Sequence, residues 1–211
     1  MTTRLAGIIL VAALGSGLIG GPAAAGLPTE QLRDQVDRVF KLLDDPQFKK
    51  ERAQQRRAAV RRIADEIFDF SETARRSLGQ HWQQRTPVER EEFVGLFADL
   101  LEHSYVSKIE LYDGEKIGYA GDTIQGDQAI VRTKILTRQG SEVPVNYRMH
   151  LTGDRWLVYD VEIEGVSLVA NYRSQFNKII RTSSYEELVR KLKSRQGEVT
   201  SATRAQVSDN R

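Results

Sequence analysis

The sequence predicts an α+β fold, because the spacing of its apolar residues changes twice along the chain. Up to about residue 105, apolar residues recur every three or four positions, as they do on one face of a helix. Between residues 116 and 164 they alternate with polar residues, and glycine-containing turns separate the alternating segments. Helical spacing returns after Ser167, so the predicted order is helices, an antiparallel sheet of about four strands, and helices again.

The first two helices are predicted from their end signals. Thr29 is expected to cap a first helix that stops before Pro46, since the residue preceding a proline disfavours helical backbone. The second helix is expected to run from about Gln47 to Phe68, with apolar residues at helical spacing.

Two more helices follow in the N-terminal half. Ser71 is expected to cap a short third helix that ends at Gly79. The segment 86–89 reads Thr-Pro-Val-Glu, a capping box with proline at the first helical position. The helix it opens has a broad apolar face, formed by Phe93, Leu96, Phe97, Leu100, Leu101 and Tyr105.

The four predicted strands are joined by short turns, which require antiparallel neighbours. The turns are expected at 113–114, 126–127, 139–140 and 153–154, and the strands at 116–120, 128–138, 143–152 and 155–164. In the third strand, Val143, Val145, Tyr147, Met149 and Leu151 share one face. In the last strand, strict alternation places one set of side chains on a single face, namely Leu157, Tyr159, Val161 and Ile163.

The C-terminal part returns to helix. Ser167 is expected to cap a helix that runs to about Arg181, and Ser184–Glu187 is a second capping box that opens a last helix. Residues 195–211 are rich in Gln, Ser, Thr and charge, and are predicted to be a disordered tail.

The first 25 residues have the pattern of a cleaved secretory signal peptide. Arg4 precedes an apolar stretch, and three alanines, Ala23–Ala25, form a small-residue cleavage site. The alternative is a membrane anchor, but the apolar run of about 15 residues is short against the roughly 20 that a span needs. The chain has no cysteine, which excludes disulfides, a thiolate nucleophile and lipidation of an N-terminal cysteine.

The overall charge gives no reason to expect nucleic acid as a partner, since the 31 Lys and Arg residues are nearly balanced by 29 Asp and Glu residues. Basic residues concentrate between Lys49 and Arg62. That stretch is either the solvated face of a helix or a basic strip that meets anionic lipid headgroups or an acidic partner.

The sequence contains no recognisable catalytic or metal-binding motif. The three histidines, His81, His103 and His150, lack ligands at metal-binding spacing, so no metal is expected. Ser167 is not part of a nucleophile-elbow motif (Gly-x-Ser-x-Gly) and is interpreted as a helix cap. Asp160 is the best candidate for a general acid or base, in competition with a structural, salt-bridged role.

Several segments together resemble the MlaC, or toluene-tolerance, family of periplasmic phospholipid-binding proteins. The family's strand-to-helix pattern is met from Trp156 through Tyr159-Asp160 to Gly165-Val166-Ser167. Residues 68–82 resemble its central helical signature and residues 86–105 its next helix. The resemblance extends from about residue 30 to about residue 193.

The resemblance implies a curved sheet facing helices, of NTF2-like character, with a deep apolar cavity between them in a domain spanning residues 26–194. It implies a periplasmic, non-enzymatic phospholipid carrier without a cofactor. Its partners would be an inner-membrane ABC transporter with an MCE-domain subunit, which would use any ATP, and an outer-membrane lipoprotein–porin complex. The lipid-binding residues expected from the two apolar faces and the following helix are Phe93, Leu96, Phe97, Leu100, Leu101, Tyr105, Tyr147, Met149, Leu157, Tyr159, Val161, Val166 and Val169.

Three alternatives remain open at the level of sequence. The cargo could be a hopanoid, as associated with the HpnM group of the same family. The cavity could hold an ionisable group and serve a small NTF2-like enzyme that acts on an apolar substrate. The helix and sheet faces could also close into an ordinary core without a ligand.

Overall fold

A computed structural model describes residues 27–51, 53–109, 115–137 and 140–195. The predicted signal peptide, the 113–114 turn and residues 196–211 of the predicted tail lie outside these ranges. Residue 195, placed at the start of that tail, instead belongs to the last helix.

The described part of the chain forms seven α-helices and one five-stranded sheet, which confirms the α+β prediction. The helices are α1 (Pro28–Asp44), α2 (Pro46–Lys50), α3 (Ala53–Ile67), α4 (Phe70–Leu78), α5 (Pro87–Ile109), α6 (Leu168–Thr182) and α7 (185–195), with a 3-10 helix at Gly79–Gln84. The strands are β1 (Lys116–Gln125), β2 (Gln128–Leu136), β3 (Glu142–Thr152), β4 (Arg155–Ile163) and β5 (Val166–Ser167). They lie side by side in chain order, and every pair is antiparallel. The added fifth strand is only two residues long and pairs with the end of β4.

The cap predicted for α1 is wrong. The helix begins at Pro28, before Thr29, and its N-cap residue, Leu27, makes no side-chain cap. The carboxylate of Asp122 on β1, which lies outside the helix, takes the place of a side-chain cap. It accepts hydrogen bonds from the Thr29 backbone N–H (3.1 Å) and hydroxyl (2.6 Å). A distant carboxylate thus satisfies an open helix amide and ties α1 to the sheet.

The predicted second helix is interrupted. The short helix α2 ends at Lys50, its C-cap residue Glu51 has an extended backbone, and α3 begins at Ala53. Phe48 on α2 is buried with Leu43 of α1 and Val60 of α3. A single straight helix would carry Phe48 away from this small cluster, so packing outweighs helix continuity here.

Helix α4 is capped two residues earlier than predicted. Asp69, not Ser71, is its N-cap and accepts a hydrogen bond from the Glu72 amide at 2.8 Å. Gly79 ends the helix as predicted, with a left-handed φ of 58°. The first predicted capping box is confirmed, because Thr86 exchanges hydrogen bonds with Glu89. In the second, the Ser184 hydroxyl accepts from the Glu187 amide as predicted, but the Glu187 carboxylate bonds Arg190 and not the Ser184 backbone.

A bulge in β4 overturns the predicted alternation of its side chains. Arg148 of β3 pairs with Asp160 and Met149 pairs with Val158, so Tyr159 is the extra residue. On the apolar face, Trp156 and Val158 therefore precede Val161 and Ile163. Leu157 pairs with His150 and lies on the opposite, more polar face, contrary to the prediction.

The apolar interior divides into two main clusters and one small one. The sheet cluster joins α1 and α3 to one face of the sheet, through Leu32, Ile67, Ala129, Val131, Met149, Trp156 and Val158. The helical cluster joins α4, α5, α6 and α7, through Ala74, Leu78, Phe93, Leu96, Phe97, Phe176, Tyr185, Leu188, Val189 and Leu192.

Backbone contacts along the outer edge of β4 hold the helical cluster against the sheet. The Asp69 amide donates to the Val158 carbonyl at 2.9 Å, and the Thr73 hydroxyl donates to the Tyr159 carbonyl at 3.0 Å. Near the start of β4, the side-chain amide of Gln31 bonds both the backbone N–H and the carbonyl of Trp156. These bonds fix α1 to the same strand.

Candidate functional site

The apolar face of the sheet extends beyond the part that α1 and α3 cover. Pairing places four half-buried residues on this face, at the end of the sheet remote from Met149 and Trp156: Ile117, Ile135, Val143 and Ile163. None of them belongs to the three clusters formed by the described residues. We call these four residues the apolar half-face.

Tyr147 lies between the sheet cluster and the apolar half-face. Burial raises the pKa of its phenol to about 12. Its side chain nevertheless keeps some accessible surface. Tyr147 packs against the sheet cluster and is the residue through which that cluster adjoins the apolar half-face.

The predicted helix residues differ in how they are used. Phe93 and Phe97 are fully enclosed, with rings that contact Phe176 at 5.6 and 5.2 Å. Leu96 is also buried in the helical cluster, whereas Leu100 and Leu101 only pack against it. Further along α5, burial and then a hydrogen bond with Tyr172 of α6 raise the pKa of Tyr105 to about 12.

The predicted sheet residues separate into three groups. Met149 is fully buried in the sheet cluster, and Tyr147 and Val161 border it. Leu157 lies on the polar face. Tyr159, at the bulge, packs between the Arg76 guanidinium (3.9 Å from the ring centroid) and the His150 ring.

The two remaining predicted residues follow the sheet. Val166 is 59% exposed, and Val169 is buried at the start of α6. The structure therefore does not gather the thirteen predicted residues into one site.

Helix α3 joins the two groups of predicted residues. Ile63 and Ile67 on this helix face the sheet cluster. Arg61 reaches the other way, to Glu102 (2.6 Å) and Asp99 (3.4 Å) on α5. Helix α3 therefore contacts both the sheet cluster and α5.

Sequence reasoning did not include any of the four residues of the apolar half-face among the candidate site residues. Val143 and Ile163 had been placed on apolar strand faces but not in the site, and Ile117 and Ile135 had not been singled out. The signal was available, because Ile135 and Val143 follow the same alternation as Val131 and Tyr147 on their strands.

Asp160 is committed to a structural role. It is 6% exposed, and its carboxylate accepts hydrogen bonds from the Ser167 hydroxyl (2.6 Å) and the Val169 amide (3.0 Å). Arg148 approaches it at 3.8 Å. The Ser167 hydroxyl in turn accepts from the Ala170 amide, which confirms Ser167 as the cap of α6.

The histidines each have a protein partner. His81 is hydrogen-bonded to the Asn177 side chain, and His103 to the Asp99 carbonyl. The His150 ring lies 3.0 Å from the Asp69 carboxylate. No group of three or more potential metal-ligating side chains was found within the described ranges.

A surface depression of about 540 Å³ lies where α1 meets α2. Three aspartates and a lysine contribute to its lining, which is formed by Asp37, Phe40, Lys41, Asp44, Asp45 and Pro46. It contains none of the predicted lipid-binding residues. Of the helices that are described, none is long and apolar enough to span a bilayer.

The family comparison covers most of the chain. A model of the family described as MlaC protein matches residues 33–194. The chain belongs to the MlaC family.

A solved structure has the same fold as this MlaC-family chain. It is the phospholipid-binding protein from Ralstonia solanacearum, determined in complex with a phospholipid. The TM-score is 0.71 and the sequence identity 24%, with 82% of this chain and 98% of that chain covered. The likeness confirms helices packed on a curved antiparallel sheet.

Proposed function

We propose that this protein is a periplasmic phospholipid carrier, which holds acyl chains against the apolar half-face without covalent chemistry. Membership of the MlaC family supports the class of ligand. The fold it shares with a protein solved in complex with a phospholipid agrees with this.

The apolar half-face carries the proposal. Ile117, Ile135, Val143 and Ile163 are four large aliphatic side chains outside the packed clusters of the described residues. Tyr147 beside them packs against the sheet cluster and is itself only half-buried. An apolar surface of this kind is suited to a flexible apolar ligand.

The energetics of transport require such a surface. Each methylene removed from water contributes about 0.8 kcal/mol, so two chains of roughly 15 carbons represent on the order of 25 kcal/mol. A carrier must hide nearly all of that surface and still release the lipid to a membrane. An apolar slot that resembles the bilayer interior, with the headgroup near its mouth, meets both requirements.

We further propose the cellular setting that the family resemblance implies. The first 25 residues would export the chain, and residues 26–194 would form the carrier domain. The carrier would exchange phospholipid between an outer-membrane lipoprotein–porin complex and an inner-membrane ABC transporter with an MCE-domain subunit. The proposal that the protein is not an enzyme is supported by Asp160, the best candidate for a general acid or base. Its carboxylate already accepts hydrogen bonds from Ser167 and Val169.

Native mass spectrometry of the exported protein, followed by organic extraction, tests this function. We expect one phospholipid per chain, with weak headgroup preference. A hopanoid in the extract would keep the carrier role and change the cargo. A protein that contains no lipid and takes none from liposomes would refute the proposal.

A further inference from the structure

The outer face of helix α6 carries positive charge only. The inner face packs on the helical cluster through Tyr172 and Phe176. The outer face exposes Arg173, Lys178 and Arg181 to solvent, spread over about 12 Å of the helix axis. The helix contains no Asp or Glu, so these three charges are not balanced within it.

The neighbouring helix does not neutralise these cations. None of the three forms an ion pair with a carboxylate of the described residues. The aliphatic part of Arg173 lies against Gly79, at the end of α4. The single acidic residue within α4, Glu72, already bonds both Arg75 and Arg76. Helices α4 and α6 together thus carry five cations and one carboxylate, in a chain whose charges nearly balance.

The basic stretch between Lys49 and Arg62 is less available to a partner. Arg61, near its end, is bonded to Asp65 on the same helix and to Glu102 on α5. These carboxylates use the charge of Arg61 to hold the fold together. Of the two basic segments, α6 is therefore the one whose cations remain free to meet an outside partner.

The apolar half-face reaches the surface just before α6. Val166 pairs with Ile163 across the turn between β4 and β5, so the two side chains lie on the same face of the sheet. Ile163 is half-buried, whereas Val166 is 59% exposed. Only Ser167 separates Val166 from the first residue of α6. The apolar surface thus comes out at the protein exterior at the beginning of the helix that carries the cations.

This combination fits a lipid bilayer better than an acidic protein. Exposed cations close to an exposed aliphatic side chain are typical of surfaces that bind anionic membranes. Headgroups in a bilayer are mobile and can meet cations at any spacing. An acidic protein presents carboxylates at fixed positions, which arginines held in place by neighbouring bonds match best. No such bonds hold Lys178 or Arg181 among the described residues.

We propose that α6 and Val166 form the surface with which the protein docks on an anionic lipid bilayer. Arg173, Lys178 and Arg181 contact the headgroups, and Val166 enters the apolar boundary beneath them. This inference rests on the proposed carrier function and adds to it the surface used for exchange. Docking in this way brings the exposed end of the apolar half-face next to the acyl chains of the bilayer, so a lipid has only a short distance to cross in water.

Vesicle flotation with the exported, lipid-loaded protein tests the docking surface. One set of vesicles contains phosphatidylcholine mixed with phosphatidylglycerol, and the other contains phosphatidylcholine alone. We expect the wild-type protein to float with the anionic vesicles and not with the neutral ones. Binding should disappear in about 1 M salt, where the screening length falls to about 3 Å.

The variant Arg173→Gln/Lys178→Gln/Arg181→Gln should lose at least about tenfold in affinity for the anionic vesicles, because each cation at such a surface contributes about fivefold. The matched control, Lys41→Gln/Lys50→Gln/Arg62→Gln, removes three exposed positive charges from α1, α2 and α3. It should bind within about twofold of the wild-type protein. If the first variant does not fold, Lys178→Gln/Arg181→Gln provides the test without disturbing the contact between Arg173 and Gly79.

Val166→Ser tests the apolar part of the surface. It should lower the affinity for anionic vesicles about two- to fivefold, because a valine side chain no longer leaves water on docking. The change lies at an exposed position, so the unfolding temperature should stay close to that of the wild-type protein. Unchanged affinity would show that Val166 stays outside the bilayer.

The docking surface and the carrier function fail in different ways. Equal loss of affinity in both triple variants, or no loss in the α6 variant, would overturn the assignment to α6. Absence of wild-type binding to anionic vesicles would overturn the bilayer as partner in favour of an acidic protein, and would leave the carrier function standing. A wild-type protein that docks but neither contains lipid nor takes any from the vesicles would refute the carrier function, and with it the role of docking in lipid exchange.

Discussion

Asp160 and Ser167 are joined by a 2.6 Å hydrogen bond from the serine hydroxyl to the carboxylate. The other carboxylate oxygen accepts from the Val169 amide, so one buried side chain links the bulged strand β4 to the first turn of α6. This geometry explains the acidic residue in the strand-to-helix motif: it orients a helix.

The Asp160→Asn variant should lower the free energy of unfolding by about 1.5–3 kcal/mol, because the new NH₂ group cannot accept a hydrogen bond. Urea denaturation measures the loss. Glu164→Gln, an exposed change four residues further on, should stay within about 0.5 kcal/mol. Folded Asp160→Asn protein should still carry lipid. Unaltered stability would show that the link is dispensable.

Ile163→Glu should abolish lipid binding in a folded protein, because a carboxylate beside acyl chains would be buried without a partner. We expect the lipid recovered by extraction to fall at least about tenfold, since burial of the charge costs more than 1.4 kcal/mol. Ile130→Glu is the control: Ile130 is also a half-buried isoleucine but pairs with Arg148 on the opposite face. Equal lipid content in the two variants would place the ligand elsewhere.

Phe93→Ala should destabilise the protein by about 3–5 kcal/mol without altering lipid stoichiometry. Phe93 is fully enclosed by other rings of the helical cluster, including Phe97 and Phe176, so its loss leaves a cavity in a packed core. Val88→Ala, on the exposed side of the same helix, should change stability by under about 0.5 kcal/mol. Lipid loss in folded Phe93→Ala protein would instead make this ring part of the binding site.

Stability should decline as the pH rises from about 10 to about 12. Burial raises the pKa of Tyr147 to about 12, whereas an unfolded tyrosine titrates near 10. Between these values the unfolded chain loses a proton that the folded protein retains, which favours unfolding. Its contribution is thus complete below about pH 10 and disappears as the pH passes 12.

Thermal unfolding of the wild-type protein and Tyr147→Phe across this range measures the effect. The variant should show a shallower decline, because it lacks one of the late-titrating phenols. Parallel curves for the two proteins would contradict the burial of Tyr147.

The spacing of apolar residues and the signals at element ends were enough to predict the fold class, the main strands and the capping box at Thr86. They failed where a distant residue decided the local outcome. Thr29 is bonded by Asp122, more than ninety positions away, so no local pattern reveals the residue that satisfies this helix end. The start itself had a local signal in Pro28, since proline is favoured at the first helical position. The break between α2 and α3 follows from burial of Phe48 against α1 and α3, which is a tertiary effect.

The candidate site was less predictable because a regularly alternating sequence gives no sign of a β-bulge. One extra residue at Tyr159 reverses the faces of the residues before it, and this moves Leu157 off the apolar side. Apolar pattern also cannot separate a filled core from a cavity wall. Phe93 and Tyr147 look alike in sequence, and only their packing distinguishes them.

The division of the interior into a helical cluster and a sheet cluster bears on how a carrier survives delivery of its cargo. A protein whose only core is its binding cavity would lose that core each time the ligand departs. Here Phe93 and Phe176 pack with one another, and Met149 packs with its own neighbours on the sheet. Both clusters are formed by protein side chains alone, so in the proposed carrier they would persist after the lipid leaves and the empty protein would not need to refold.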